Sequence, residues 1–524
     1  MDIAHFADSP WSVVPPLLAV ALAIYTRKVL IALGTGILAG ALLLNHLSPL
    51  NALHYLLATV LKIFWVDGDL NRDNINMILF MFLLGGLISL MTVSGATRAF
   101  AEWAERRARS RRGAKILTGM MVFAFFIDDF FHSLSVGAIC RPVTDRFQIS
   151  RAKLAYLLDS TAAPVCVLMP VSSWGAYIIA LVGGIMAAHG VTNLSPIAAF
   201  VEMIPMNLYA VFTLLMVLVV IGFQLDIGSM RQHEEWALQG KLWDESKGRP
   251  LGLDMESPEE SNGSMIDMVL PILTLTLSTV YFMIHSGAEV LAAQGEPFSV
   301  LGSFENTNVG SSLVYGALCS LVVSIALALR LNLGVGNWLR AAPQGVVAML
   351  PAINILLFAW TIGAVVRDVE TGKYLASLAN GNLPIEVLPA VVFILSCAMA
   401  FATGTSWGTF GIMLPLAGDM AAASDIGLML PMLAAVLAGA VFGDHSSPIS
   451  STSILSATGA GCHHIDHVMT QLPYALSVAF GAALGYLALG FTHSTLMGVL
   501  VSGTWFALFC IYHVRRNQPV LANA

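Results

Sequence analysis

The chain has 524 residues, of which 57% are hydrophobic and only 11% charged, and its mean hydropathy is +0.78. Soluble domains carry about 25% charged residues, so a soluble enzyme is excluded, and the shortage of polar residues excludes disorder. The net charge of -7 comes mainly from one acidic loop and gives no reason to expect a nucleic-acid partner. What remains is an all-α polytopic protein solvated by a lipid bilayer, whose spans each need roughly 20 apolar residues.

The first residues, MDIAHFADSP, hold no Lys or Arg, so no secretory signal peptide is read there. Apolar segments follow at 11–25, 29–47 and 75–94, with a shorter interfacial stretch at 51–65. Lys and Arg mark cytoplasmic loops. Arg27 and Lys28 put the first turn inside and the N-terminus outside. The basic run from Arg98 to Lys115 is the strongest inside signal. The next loop, with Arg141, Arg146, Arg151 and Lys153, also reads inside. The segment 116–140 between them therefore enters and leaves on one side, as a re-entrant hairpin with arms of about a dozen residues.

A long span over 154–188, broken near Pro164, comes next, then a span at 204–223. The charged 224–265 loop falls inside, because 285–309 carries Glu289, Glu296 and Glu305 without a basic residue and reads outside. Spans at 266–284, 310–329 and 343–366 lead to a second hairpin, 387–420, entering from outside. A broken span at 429–462 and spans at 470–490 and 494–513 complete the chain. Arg515 and Arg516 put the C-terminus inside. The reading is about eleven full spans plus two hairpins in a bacterial-type inner membrane; Arg367 and Lys373 fall outside, against the rule.

Residues 1–223 and 266–490 share one order of elements, with 224–265 as linker and 491–524 as an extra span and tail. One half starts outside and the other inside, the inverted-topology repeat of many secondary transporters. The sequence echoes it weakly. Gly137 and Asp145 are spaced like Gly411 and Asp419, and DSTAAP (159–164) stands opposite GDHSSP (443–448).

A charge at mid-membrane costs roughly 2.5–3.5 kcal/mol or more, so each intramembrane acid is a functional candidate. Asp128 and Asp129 lie in FFIDDFFHSLS near the turn of the first hairpin. Asp159 precedes Ser160, Thr161 and Pro164; Asp444 precedes Ser447, Pro448 and Ser450 in the other half. Proline breaks a helix and frees carbonyls. Carbonyls, hydroxyls and a carboxylate make an oxygen-rich site suited to a hard cation such as Na⁺. The same carboxylate takes a proton when desolvated, and a site that holds one or the other is an antiporter by competition. The run TGTSWGTFG (403–411) adds Thr403, Thr405 and Ser406 at the second hairpin tip. Each acid can instead cap a half-helix or pair with a structural Arg, and Ser or Thr in such runs can bond its own backbone. Trp174 and Trp407 read as packing residues. In CHHIDH (462–467), His463 and His467 are spaced like metal ligands on one helical face, but the segment reads better as a polar helix end at the cytoplasmic side. Six scattered cysteines without a CxxC give no disulfide framework or zinc site.

The blocks 125–166, 170–177 (PVSSWGAY), 401–415 (FATGTSWGTFGIMLP) and 443–476 resemble the NhaC-type sodium/proton antiporter family. The resemblance spans roughly 75–490. It implies Na⁺/H⁺ exchange with no cofactor beyond the transported ions, two inverted repeats, and a homodimer in which a transport domain moves elevator-fashion against a scaffold. Relatives exchange small organic solutes, so a Na⁺- or H⁺-coupled exchanger of a carboxylate, amine or amino acid is the second reading. An aspartyl intramembrane hydrolase is a third; adjacent Asp128 and Asp129 point different ways on a helix, which disfavours it.

Overall fold

The computed structural model is almost wholly helical, with a short ribbon in which Trp65–Val66 pairs with Asp69–Leu70. It describes residues 4–516 apart from 27, 67, 97–98, 100–101, 104–109, 127–128, 171, 192–193, 251–262, 332–334, 372–373 and 375–383. Among the described residues, seven helices are long and apolar enough to cross a membrane. The number rises to nine if the bent pairs Leu30–Leu44 with Pro49–Phe64 and Pro196–Met203 with Leu208–Phe223 each count as one. Three expected spans fall outside this number. The first is a helix of 13 residues, Val14–Thr26; 154–188 divides into two helices of 16 residues; and 343–366 lies within Val335–Asp368, whose side chains are described only in part. One helix that does count, Ile385–Thr403, covers the first arm of the expected second hairpin.

The helices sort into two groups by packing. Those before residue 94 and those from 266 to 368 pack mainly on one another, as do those from 111 to 223 and from 388 to 516. Contact between the groups is narrower. Val335–Asp368 touches Leu388–Thr403 and Ser451–Ala460, and Ser173–Ala188 touches Val300–Glu305. Inside the second group, Arg151–Cys166 and Met429–Ser446 are buried on nearly every face, as expected of a helix apolar all round. Close approach in this group depends on missing side chains. A Cβ on Gly137 would lie 2.6 Å from the Gly459 carbonyl carbon, so the Asp129–Arg146 and Ser451–Ala460 helices cross backbone to backbone.

The helix breaks follow local chemistry. At Pro448 the chain leaves Met429–Ser446 and restarts at Ser451, with Ser450 as N-cap accepting the Thr452 N–H. In the first half the break comes later than Pro164. That proline sits in the last turn of Arg151–Cys166, and the break spans 167–172. Ser172 closes it: its hydroxyl bonds the Cys166 and Met169 carbonyls, each at 2.8 Å, and accepts the Gly175 N–H at 2.9 Å. Between Leu388–Thr403 and Ser406–Ser424 the chain turns on Gly404, whose φ of 67° suits a residue without Cβ.

Two polar ends orient these elements. At one, Glu234 of the connecting loop is 1% exposed and meets Arg111 at 3.0 Å, Lys115 at 3.2 Å, and the Ser150 N–H and hydroxyl at 2.9 and 2.7 Å. Lys153 meets Asp226 at 2.6 Å, and Lys247 meets Asp466 at the start of His464–Thr492. The segment from Arg111 to Ser150 thus leaves this end and returns to it. At the far end of His464–Thr492, Gly490 lies against the Glu386 backbone and His493 lies 3.6 Å from Asp425. The segment between Glu386 and Asp425 likewise returns to its own end, the opposite one.

Burial alone would raise the Glu234 carboxyl, but Lys115, Lys153 and Arg111 hold it down, from 4.5 to about 2. A depressed acid stabilises the fold above its unfolded value and loses that contribution as pH falls through the folded value. Glu234→Gln leaves two buried cations uncompensated and should cost about 3 kcal/mol near neutral pH. Thermal unfolding in detergent should show the gap to wild type closing as pH falls from about 4.5 toward 2; a gap that does not change with pH would contradict the charge account.

Candidate ion-binding site

A polar cavity of about 720 Å³ lies between the two helix groups. Asp129, Asp444, Thr403 and Thr405 line one side. Lys62, Trp360, Arg367 and Asp368 line the other, beside the Trp65–Leu70 ribbon. The cavity lies on the side of the ribbon, whereas Glu234 lies among the basic loops.

Asp444 sits in the last turn of Met429–Ser446 and is 4% exposed. One carboxylate oxygen accepts the Ser406 N–H at 3.0 Å and its hydroxyl at 2.8 Å. Asp444 therefore caps the N-terminus of Ser406–Ser424 from another helix, where the helix end carries partial positive charge. Its second oxygen accepts the Ser450 hydroxyl at 2.5 Å and the Thr452 hydroxyl at 3.4 Å. A hydroxyl carries one donor and two lone pairs. Ser450 and Thr452 can thus donate to the carboxylate or, after rotating, offer oxygen to a cation seated against it.

Asp129 opens the Asp129–Arg146 helix and is 2% exposed. The Trp174 indole N–H donates to it at 3.1 Å. Trp174 in turn packs edge-on against Trp407 and Phe410 of Ser406–Ser424, with centroids at 6.0 and 5.6 Å. An aromatic bridge therefore joins the Asp129 side of the cavity to the arm that Asp444 caps. Trp174 is more than packing: it orients a carboxylate.

Thr403 and Thr405 line the cavity; the remaining candidates fall elsewhere. Asp128 lies outside the described residues. Thr403 donates to its own helix at Met399 O, 2.9 Å, and Ser447 donates to Phe401 O at 2.7 Å, tying the break to the hairpin arm. Ser160 lines a small void with Tyr156 and His445, and Thr161 bonds the Leu157 carbonyl and the His132 ring. Asp159 is fully buried in a second cluster. One of its oxygens meets His467 Nε2 at 2.9 Å, Gln471 Nε2 at 2.8 Å and the Ser453 hydroxyl at 3.0 Å; the other meets Ser456 at 3.4 Å. His467 is thus no exposed helix end but a buried partner of an acid. The sequence reading also missed Thr452, Ser453 and Gln471. The hydroxyl density of 446–453 pointed to the first two; nothing local pointed to Gln471.

Among the described residues no group of three His, Cys, Asp or Glu side chains could hold a metal ion. The fold and site define a multi-pass membrane protein with carboxylates set among hydroxyls at helix breaks. Residues 165–491 match the Na⁺/H⁺ antiporter family. An uncharacterised protein of Haemophilus influenzae is 53% identical over 95% of this chain and 94% of its own length. The malate-2H⁺/Na⁺-lactate antiporter of Bacillus subtilis is 29% identical over 33% of this chain and 37% of its own. The arginine/ornithine antiporter ArcD of Halobacterium salinarum is 30% identical over 28% of this chain and 31% of its own. The chain belongs to the Na⁺/H⁺ antiporter family.

Removing one neutral hydroxyl partner changes a site by about 1 kcal/mol. Ser450→Ala should therefore raise the half-saturating cation concentration of exchange roughly five- to tenfold, with the protein still folded. Unaltered saturation in vesicle assays would remove Ser450 from the site.

Proposed function

We propose that this protein exchanges Na⁺ for H⁺ across the inner membrane, with Asp129 and Asp444 at the exchange site. The observation that carries this is their position on one cavity wall, from opposite halves of the chain, among hydroxyl and backbone partners. Oxygen ligands from the carboxylates and hydroxyls favour a hard cation, and a desolvated carboxylate that the cation leaves favours compensation of its charge by a proton. Asp159, Ser160 and Thr161 act behind this wall, Thr403 and Thr405 on it, and Ser450 through its bond to Asp444.

The halves 1–223 and 266–490 are read as inverted repeats with re-entrant hairpins. Support comes from the two segments that return to opposite ends of His464–Thr492. The basic residues gathered around Glu234 support a cytoplasmic face there, with the N-terminus outside and the C-terminus inside. Elevator-type movement of the 111–223 and 388–516 group against the other helices is supported by the narrow contact between the groups. The cavity lies between the groups, and in this orientation on the outer side.

A second reading is Na⁺- or H⁺-coupled exchange of a small organic solute. The cavity favours it: about 720 Å³ is far more than one dehydrated cation fills, and Lys62 and Arg367 stand on the wall facing the acids. Relatives named as malate/lactate and arginine/ornithine antiporters point the same way.

The deciding experiment is proton flux in proteoliposomes with an imposed pH gradient and an interior pH dye. Addition of Na⁺ alone should collapse the gradient, and Asp129→Asn and Asp444→Asn should each abolish the response while remaining folded. Full exchange by either variant would remove that acid from the site. A wild type that ignores Na⁺ alone, yet is thermally stabilised by an organic acid or amino acid, would make the solute exchanger the correct reading.

A further inference from the structure

Asp159 and His467 form a buried acid–imidazole pair that the cavity site leaves unused. Both side chains are fully buried, on Arg151–Cys166 and His464–Thr492. An ionised carboxylate only accepts hydrogen bonds, so His467 donates through Nε2. Its Nδ1 is then a bare acceptor, buried and without a hydrogen-bond partner among the described residues. A proton placed on Nδ1 forms an N–H bond there and takes the pair from one negative charge to none.

The surroundings make this pair the place where such a change is felt. From Met429–Ser446 come Asp444 and His445; the Nε2 of His445 meets the Tyr209 hydroxyl at 3.3 Å, while its Nδ1, like those of His132 and His464, has no hydrogen-bond partner among the described residues. From Asp129–Arg146 come Asp129, at the cavity, and His132, bonded to Thr161. On the same helix as His467, His464 bonds the Pro448 carbonyl at 2.8 Å and Tyr474 bonds the Leu225 carbonyl at 3.0 Å. The charged residues of the 111–120 and 229–238 helices, and Lys153 on the helix of Asp159 itself, lie at the far polar end in their own pairs.

The Ser451–Ala460 helix brings hydroxyls only. Thr452 bonds Asp444 and the next residue, Ser453, bonds Asp159. Successive residues on a helix point about 100° apart, so one turn of one short helix holds two acids on two sides. Ser450 and Ser456 extend the two contacts.

We propose that Asp159 and His467 bind the exchanged proton at a site separate from the cavity carboxylates, and that the Ser451–Ala460 helix couples the two. The proposal rests on the cation/proton reading given above. With the pair negative, a cation beside Asp444 feels both carboxylates across a region of low dielectric. With the pair neutralised by a proton, Asp444 alone holds the cation, and affinity falls. Proton uptake thereby drives cation release without the two ions sharing a ligand.

The test is Na⁺ affinity against pH in the full-length protein, read from thermal stabilisation by NaCl between pH 6 and 9. A one-proton coupling changes affinity by up to about tenfold per pH unit. His467→Gln keeps an N–H donor toward Asp159 but takes no proton, so its Na⁺ affinity should change by less than about twofold per pH unit. Ser453→Ala, which keeps both acids and the histidine, should flatten the dependence in the same direction. A wild-type pH dependence in folded His467→Gln would overturn the proposal. A second readout stands apart from Na⁺ binding. The infrared difference spectrum between pH 6 and 9 of Asp444→Asn should contain an imidazole signal that is missing from the Asp444→Asn, His467→Gln double variant. Identical spectra would overturn the proton site even if Na⁺ binds. A clear imidazole difference in a protein that ignores Na⁺ would keep the proton site and sink only the Na⁺ reading.

Discussion

The constraint on which the rest depends is the cost of keeping a carboxylate out of water. Asp444 stays at 4% exposure because a backbone N–H and three hydroxyls from Ser406, Ser450 and Thr452 surround it. None of these donors could reach it if the helices ran unbroken. The turn at Gly404 exposes the N-terminus of Ser406–Ser424, and the interruption at Pro448 brings Ser450 back toward the turn that carries Asp444. Irregular backbone at membrane depth is tolerated where protein buries it or a cavity wets it. Both conditions hold here, and the acid, the breaks and the cavity stand or fall together.

Charge at the polar end works by a different rule. Glu234 gathers Arg111, Lys115 and Ser150, so the connecting loop is pinned to both ends of the segment from Arg111 to Ser150. These basic residues form the seat for the loop. Because 224–250 is anchored there by Glu234, Asp226 and Lys247, the link between the halves is attached to the helices that carry the acids, and it moves with them in any rearrangement of the two groups.

Much of this was legible in the sequence because its signals are coarse and local. Charge poverty pointed to the bilayer, and an acid beside proline and hydroxyls marked the break after Asp444. What stayed hidden are pairings made across hundreds of residues. Gln471 reaches Asp159 from a helix that reads as an ordinary apolar span, and the Trp174 N–H meets Asp129 through folding of a hairpin onto a broken helix. The position of His467 could not be read from spacing: a histidine four residues from another suggests a shared face, yet His463 turns outward to the Gly248 carbonyl while His467 turns inward. The break in the first half was misplaced for a related reason. Pro164 lies in the last turn of Arg151–Cys166, where losing one N–H to the Ser160 carbonyl does not end the helix, and the capping residue that ends the gap is Ser172, eight positions on.

The two walls of the cavity divide the chemistry. Asp129 and Asp444, the hydroxyls around Asp444 and the helix breaks belong to one helix group, whereas Lys62, Trp360, Arg367 and Asp368 belong to the other. Substitution on the second wall changes the size and charge of what fits beside the acids without touching the hydrogen bonds that hold Asp444 and Asp129. Substitution on the first wall disturbs a network in which Ser450 serves an acid and a helix end together.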